Sequence, residues 1–277
     1  MISIPDAATA TTSGTTTATA TATATTSGTG TATATTSGTG TATATDTHTE
    51  TSTSTSTITV LFSDNFDSTY EVNWYRSNSS DGPVTDKLDG SNALVTLDAT
   101  TTDFTRLRCN LDGQLFKDID ITASMKVRIE QAPTSTTRVR LDVRQAADTE
   151  NIFYAVGATI ANDGSMTKLG IFKKVDDGSG GYTICSLAEK KFATPIAMNN
   201  QWHTIKLTIS GTTSVQLAAY FEDANMATFV DDCVSFLTST NGTTVPNGGC
   251  LADQTGLGIQ AESGLLVSVD DVLVTTP

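Results

Sequence analysis

Ile121-Thr122-Ala123-Ser124-Met125-Lys126-Val127-Arg128-Ile129-Glu130 alternates apolar and polar side chains without a break. Successive residues of a strand point to opposite faces, so this stretch reads as a strand with one face buried and one wet. Val139, Leu141 and Val143 alternate in the same way with Arg138, Arg140, Asp142 and Arg144. Further strand runs lie at Ile152 to Ala158, Lys168 to Lys173, Thr204 to Ile209, Val215 to Phe221 and Leu265 to Val274. Turn clusters such as Asn162-Asp163-Gly164-Ser165 and Asp176-Asp177-Gly178-Ser179 separate them, and helix signals are nearly absent. The pattern predicts an all-β protein, two antiparallel sheets packed face to face as a β-sandwich.

Upstream the composition changes. From Thr15 to Thr59 nearly every odd position is Thr, and the unit Thr-Ser-Gly-Thr-Gly-Thr-Ala-Thr-Ala-Thr occurs at Thr26 and again at Thr36. The first 57 residues hold no Phe, Trp, Tyr, Lys, Arg or Cys, so residues 1–57 are expected to form a low-complexity Thr/Ala/Ser/Gly arm and residues 58–277 a single sandwich domain. In an extended chain the even-length unit keeps the odd-position Thr side chains on one side. Three uses of that ladder stay open. It is a solvated stalk carrying O-linked sugar, for instance at Thr31, Thr33, Thr35, Thr41, Thr43 and Thr45, or a set of strands that adds neighbouring chains, or a flat array that binds an ordered surface such as ice.

The chain carries 30 acidic residues against 16 basic ones, a formal net charge of −14. Such a surface repels phosphate backbones, so nucleic acid is not an expected partner. No run of eighteen apolar residues exists, so no membrane span is expected. Met1 to Asp6 lack the basic and apolar regions of a secretory leader, which is expected to be absent or already removed. The four cysteines form an even set without zinc-knuckle or redox spacing, which suits an oxidising compartment. Three pairings are open. The favoured one joins Cys233 to Cys250 around a turn-rich loop, which leaves Cys109 for Cys185; four buried thiols are the alternative. Asn78 and Asn241 head glycosylation sequons, a further sign of an extracellular or cell-surface protein.

Phe62-Ser63-Asp64-Asn65-Phe66-Asp67, Gln201-Trp202-His203-Thr204-Ile205-Lys206-Leu207 with Gly211, Val215 to Glu222, Gly256-Leu257-Gly258-Ile259 and Val269 to Val274 together resemble the concanavalin A-like, laminin-G-like jelly roll. The resemblance spans about residues 60–275 and implies a fold that serves lectins, adhesion modules, carbohydrate-binding modules and glycoside hydrolases alike. It also implies a structural calcium tying the first strand to the last, with Asp64, Asp67, Asp270 and Asp271 as oxygen donors. A retaining glycosidase of this fold is expected to carry Glu-x-Asp-x-Glu or Glu-x-Asp-x-x-Glu, and neither occurs. Glu222-Asp223 point to opposite faces of a strand, while His48 and His203 have no nucleophile in view. No enzyme activity is therefore expected.

The binding candidates are Arg138, Arg140, Asp142 and Arg144, on one side of a strand, where cations two residues apart need carboxylates or a ligand between them. Tyr154 and Tyr220 are expected to add stacking surface if their strands adjoin. Trp74-Tyr75 is either a platform for sugar or a seal on one end of the sandwich. The expected function is a subunit of an extracellular filament or surface fibre that self-associates through its arm. The alternative is a glycan-binding adhesin head on a glycosylated stalk.

Overall fold

A computed structural model describes residues 58–78, 80–109, 117–146 and 151–277. The Thr-rich arm and its expected O-glycosylation positions, Thr31, Thr33, Thr35, Thr41, Thr43 and Thr45, lie outside the described residues. In chain order the strands are β1 (Val60–Asp64), β2 (Trp74–Arg76), β3 (Val84–Asp89), β4 (Asn92–Asp98), β5 (Phe104–Cys109), β6 (Ile121–Gln131), β7 (Thr137–Gln145), β8 (Phe153–Ile160) and β9 (Ser165–Asp176). They continue with β10 (Tyr182–Ala197), β11 (His203–Ser210), β12 (Val215–Phe221), β13 (Ala224–Asp231), β14 (Leu237–Thr238), β15 (Thr244–Val245), β16 (Gly256–Glu262) and β17 (Leu266–Thr275). A single 3-10 turn, Tyr70–Val72, is the one helical element among the described residues.

Two antiparallel sheets form the sandwich. One has eight strands in the order β13-β12-β11-β6-β17-β4-β3, with β1 also on β17; the other has seven, β10-β9-β8-β7-β16-β5-β2. Strand β17 serves two neighbours on one edge. Its Leu266–Val269 half pairs with β4 and its Val272–Thr275 half with β1, and the register shift between Asp270 and Leu273 marks the change.

The alternation read from β6 holds: Ile121, Ala123, Met125, Val127 and Ile129 are all fully buried, facing Val139, Leu141 and Val143 of β7. Every expected run is a strand, within three residues at each end. Strand β10 went unread for a physical reason. It is an edge strand whose Glu189, Lys190, Lys191 and Pro195 break the alternation, and its register slips twice against β9. Charges, proline and bulges are what keep an open edge from recruiting another chain.

Trp74 seals one end of the core. Its ring lies 5.8 Å from Phe62 and 6.1 Å from Phe66, and its Nε1 donates to Asp64 Oδ2 at 2.9 Å. The Cys233–Cys250 disulfide is present. The second expected bridge is not: Cys109 and Cys185 both remain thiols. Cys109 is on β5 and Cys185 on β10, with β9, β8, β7 and β16 between them, a gap of roughly 24 Å at the usual strand spacing.

Candidate functional site

The outer face of the seven-stranded sheet carries a cluster of charged residues. Because Leu107, Val139, Leu141, Val156, Ile171, Leu257 and Ile259 point inward, the alternate positions of β5, β7, β8, β9 and β16 must point outward. These are Phe104, Arg106, Arg108, Arg138, Arg140, Asp142, Phe153, Gly157, Gly170, Phe172, Lys174, Gly258, Gln260 and Glu262.

Strand register explains how so many cations coexist. Gly258 sits directly between Arg108 on β5 and Asp142 on β7. Having no side chain, it lets the Arg108 guanidinium lie flat across it and donate from Nη1 to Asp142 Oδ2 at 3.0 Å. A Cβ at Gly258 would stand 2.0 Å from that Nη1. The next row repeats the device. Arg140 is flanked by Gln260 on one side and Gly157 then Gly170 on the other, and the Phe172 ring covers both glycines. Arg140 donates to Gln260 Oε1 and Glu262 Oε1, both at 2.7 Å, and its Nε lies 3.5 Å from Asp142 Oδ1. Strand-interior glycines here mark close approach of side chains, one of the standing reasons for glycine in a strand.

Burial grades across the face. Asp142, Arg108 and Phe172 are sealed, whereas the Arg138 and Glu262 side chains are 25% and 21% exposed and form an accessible rim. Aromatic rings interleave with the cations: Arg106 stacks over Phe104 at 4.4 Å, Arg138 over Phe172 at 5.3 Å, and Arg140 over Phe153 at 5.5 Å. At the two ends of the sheet, Tyr75 on β2 and Tyr182 on β10 are 39% and 38% exposed. Lys174 is hydrogen bonded to Asn151 and lies near the Phe153 and Tyr182 rings. Burial first, and then the Arg140 charge, push its ammonium down to about 8. A hydroxyl-lined cavity of about 490 Å³, bounded by Ser80, Thr100, Thr101, Thr102, Asp103, Phe104 and Ser263, opens beside Phe104 and Glu262.

Arg106, Arg108, Arg138, Arg140 and Lys174 thus stand against Asp81, Asp142 and Glu262, and Asp81 is held by Arg106 at 3.1 Å. This face is locally cationic on a strongly acidic chain.

Of the expected binding residues, Arg138, Arg140 and Asp142 come together here. Arg144 does not. It takes a left-handed backbone conformation (φ 50°) at a bulge, and its guanidinium reaches the other layer, donating to the Gly211 and Ile119 carbonyls. Tyr154 faces the core and donates to Asp231 Oδ2 at 2.6 Å, since β8 presents its even positions inward. Tyr220 is on β12 of the eight-stranded sheet, beside Lys206. Arg106, Arg108, Gln260, Glu262 and Tyr182 were missed from sequence, whereas Tyr75 was singled out with Trp74 as a platform for sugar or a seal; the three interior glycines were the available signal.

The carboxylates expected to hold calcium do not form a shell. Asp64 accepts from Phe66 N, Asn73 Nδ2 and Trp74 Nε1, which occupies both its oxygens. Asp271 is paired with Lys126 at 2.5 Å. Burial, the largest effect, raises Asp270, and the Asp67 charge adds to it. Among the described residues no three His, Cys, Asp or Glu side chains converge. His203 is engaged by Glu222 and the Ala197 carbonyl. Asn78 and Asn241 are both exposed, Asn241 in the turn between β14 and β15. No helix among the described residues is long and apolar enough to cross a membrane.

No protein-family model matches the sequence, and no curated protein does. Solved structures do. The carbohydrate-binding module CBM66 from Bacillus subtilis aligns over 74% of this chain and 96% of its own at 14% identity, TM-score 0.47. A structure from work on human gut microbiota endo-acting O-glycanases that initiate mucin breakdown aligns over 79% and 99% at 11% identity, TM-score 0.49. A Bacteroides ovatus mixed-linkage glucan GH16 protein with bound product aligns over 78% and 97% at 9% identity, TM-score 0.48. These likenesses bear on the fold and nothing finer. They also correct one expectation: glycoside hydrolases and a binding module share this architecture, so the reading of the chain as no enzyme does not stand. The described chain is an antiparallel β-sandwich of two large sheets.

Proposed function

We propose that the domain binds an acidic carbohydrate outside the cell, on the outer face of the seven-stranded sheet. One observation supports this above the rest: a chain of net charge −14 gathers Arg106, Arg108, Arg138, Arg140 and Lys174 on one face, with Arg108 and Arg140 laid against glycines. Guanidinium forks match carboxylate and sulfate groups in bidentate geometry, and exposed tyrosines at both ends of the face suit sugar rings. Arg138 and Glu262 at the rim are the first contacts, and the Ser and Thr hydroxyls beside Phe104 supply donors and acceptors for neutral sugar hydroxyls. The disulfide and the two exposed sequon asparagines suit an extracellular setting. The filament reading depends on the Thr-rich tract, which is outside the described residues, and no described residue supports it; as a spacer the tract serves a glycan-binding head equally well.

The test is calorimetry of the full chain against a uronate- or sulfate-bearing polysaccharide and a neutral polymer of the same backbone. Selective binding to the acidic polymer, weakened at least tenfold in Arg138→Ala and by added salt, is expected. Equal binding to both, or loss of neither in the variant, overturns the assignment. Chromatography of the incubated polymer shows whether it is also cut.

A further inference from the structure

At the opposite side of β9 from the basic face, Lys173 points into the sandwich. Leu169, Ile171 and Val175 occupy the same inward phase, so a lysine here is buried among apolar side chains, and it is 0% exposed. Its Nζ meets three acceptors: Asp231 Oδ2 at 2.7 Å, Asn247 Oδ1 at 2.5 Å and the Gly249 carbonyl at 2.5 Å. Asp231 ends β13 in the other sheet, and its second oxygen, Oδ1, accepts from Asn247 Nδ2 at 2.8 Å. One carboxylate therefore bridges the amine and the amide nitrogen. Asn247 Nδ2 also donates to the Ser235 carbonyl at 3.2 Å, which fixes the amide orientation. Tyr154 donates to Asp231 Oδ2 at 2.6 Å, and its ring lies 5.1 Å from the Lys173 ammonium. Asp231, Asn247 and Tyr154 are buried like Lys173, beside the apolar cluster of Val175, Cys185, Leu237 and Val245. Left-handed backbone at Gly248 and Gly249 (φ 76° and 83°) turns the loop back over the amine.

A buried ammonium whose neighbours are an acid and a primary amide, both pinned, has the parts for amide exchange. We propose that Lys173 and Asn247 become joined by an intramolecular amide bond, with Asp231 as the proton-transferring residue. The ammonium first gives a proton to Asp231 along the 2.7 Å hydrogen bond. The free amine pair then attacks Asn247 Cγ, and the carbonyl pair moves onto Oδ1. As the carbonyl re-forms, the surplus proton on the attacking nitrogen passes through Asp231 to Nδ2 and the Cγ–Nδ2 bond breaks. Ammonia leaves with the first proton as ammonium, which returns Asp231 to its carboxylate. No oxidant or cofactor enters, and charge and atoms balance.

Three features favour the step. Burial lowers the Lys173 ammonium, against the opposing pull of Asp231, so the amine is easier to free than at the surface. For Asp231, burial pushes up, but hydrogen bonds from Lys173, Tyr154 and Asn247 outweigh it and hold the carboxyl low, so it starts ionised and able to take a proton, though as a weak base. Geometry contributes proximity: Nζ is hydrogen bonded to Oδ1 of the amide it would attack, and Asp231 touches both the amine and that amide's nitrogen. The bond would fasten β9 to the loop that follows β15, spanning 74 residues.

Intact mass spectrometry of the full chain tests it. The expected mass is one ammonia below that of the sequence with its single disulfide, and tandem spectra of a digest should contain the Lys173 peptide joined to the Asn247 peptide. Asp231→Ala and Lys173→Met should return to the full mass. A wild-type chain at full mass, with separate Lys173 and Asn247 peptides, overturns the proposal, as does an ammonia loss mapped to any other residue. The wild-type digest decides the matter even if a variant fails to fold.

Discussion

Replacing Asp142 with Ala removes a carboxylate sealed beneath the basic face. Arg108 Nη1 lies 3.0 Å from it and Arg140 Nε 3.5 Å, and neither guanidinium can swing to water, because Arg108 is 1% exposed over Gly258 and Arg140 is held by Gln260 and Glu262. Breaking a buried pair from one side costs about 3–5 kcal/mol. Arg140 keeps its bonds to Glu262 and Gln260. For a domain of this size each kcal/mol moves Tm by roughly 2–4 °C, which puts the variant roughly 6–20 °C below the parent. Calorimetry and urea titration at neutral pH both read this. The loss should change little between low and moderate salt, since buried charges are poorly screened. Arg108→Met combined with Asp142→Leu should recover most of it, because an apolar pair of similar volume replaces a buried ion pair at little cost. A single variant within about 1 kcal/mol of the parent would refute the buried network, and a double variant no better than the single one would refute its pairing.

Gly258→Ala puts a methyl 2.0 Å from Arg108 Nη1; because that side chain is pinned, a loss of about 1–3 kcal/mol is expected in urea titration, against none if Arg108 simply moves aside. With its ammonium lowered to about 8, Lys174 is charged below that pH and neutral above it, so affinity for an acidic polymer should fall as pH rises through about 8, measured by calorimetry in matched buffers. Between about 8 and its ordinary 10.5 the unfolded chain binds more protons at this lysine than the folded one, so its contribution to stability rises with pH across that window. Cys233→Ser opens a link between residues 17 apart and should cost about 3 kcal/mol, less if the Lys173–Asn247 bond also tethers that loop. Thiol titration of the unreduced, denatured chain should find two reactive groups, Cys109 and the buried Cys185, with Cys185 silent until unfolding.

Period-two alternation made the sandwich legible, because a strand's side-chain direction is a local property, and β6, β7, β11, β12 and β17 all carry it. What alternation cannot say is how wet the polar side is. On β6 the outer Lys126 and Glu130 meet solvent, whereas on β7 the equally polar Arg140 and Asp142 are sealed, and the difference lies in neighbours far along the chain: Gly258, Gly157 and Gly170. Pairing Cys109 with Cys185 by elimination failed for the same reason, since strand order across the sheet is a tertiary fact. Arg144 kept the polar parity of its strand but lost the face, because a bulge at the end of β7 turned it over. Lys173 is the reverse case. Its phase with Leu169, Ile171 and Val175 was written in the sequence and put a charge in the core, where an amine must find carboxylate and carbonyl partners. A core position held by lysine, with an aspartate ending the facing sheet's strand and an asparagine in a glycine-turned loop, costs more to keep than an apolar side chain there. That excess cost is the physical reason to look for chemistry at Lys173, Asp231 and Asn247 rather than packing alone.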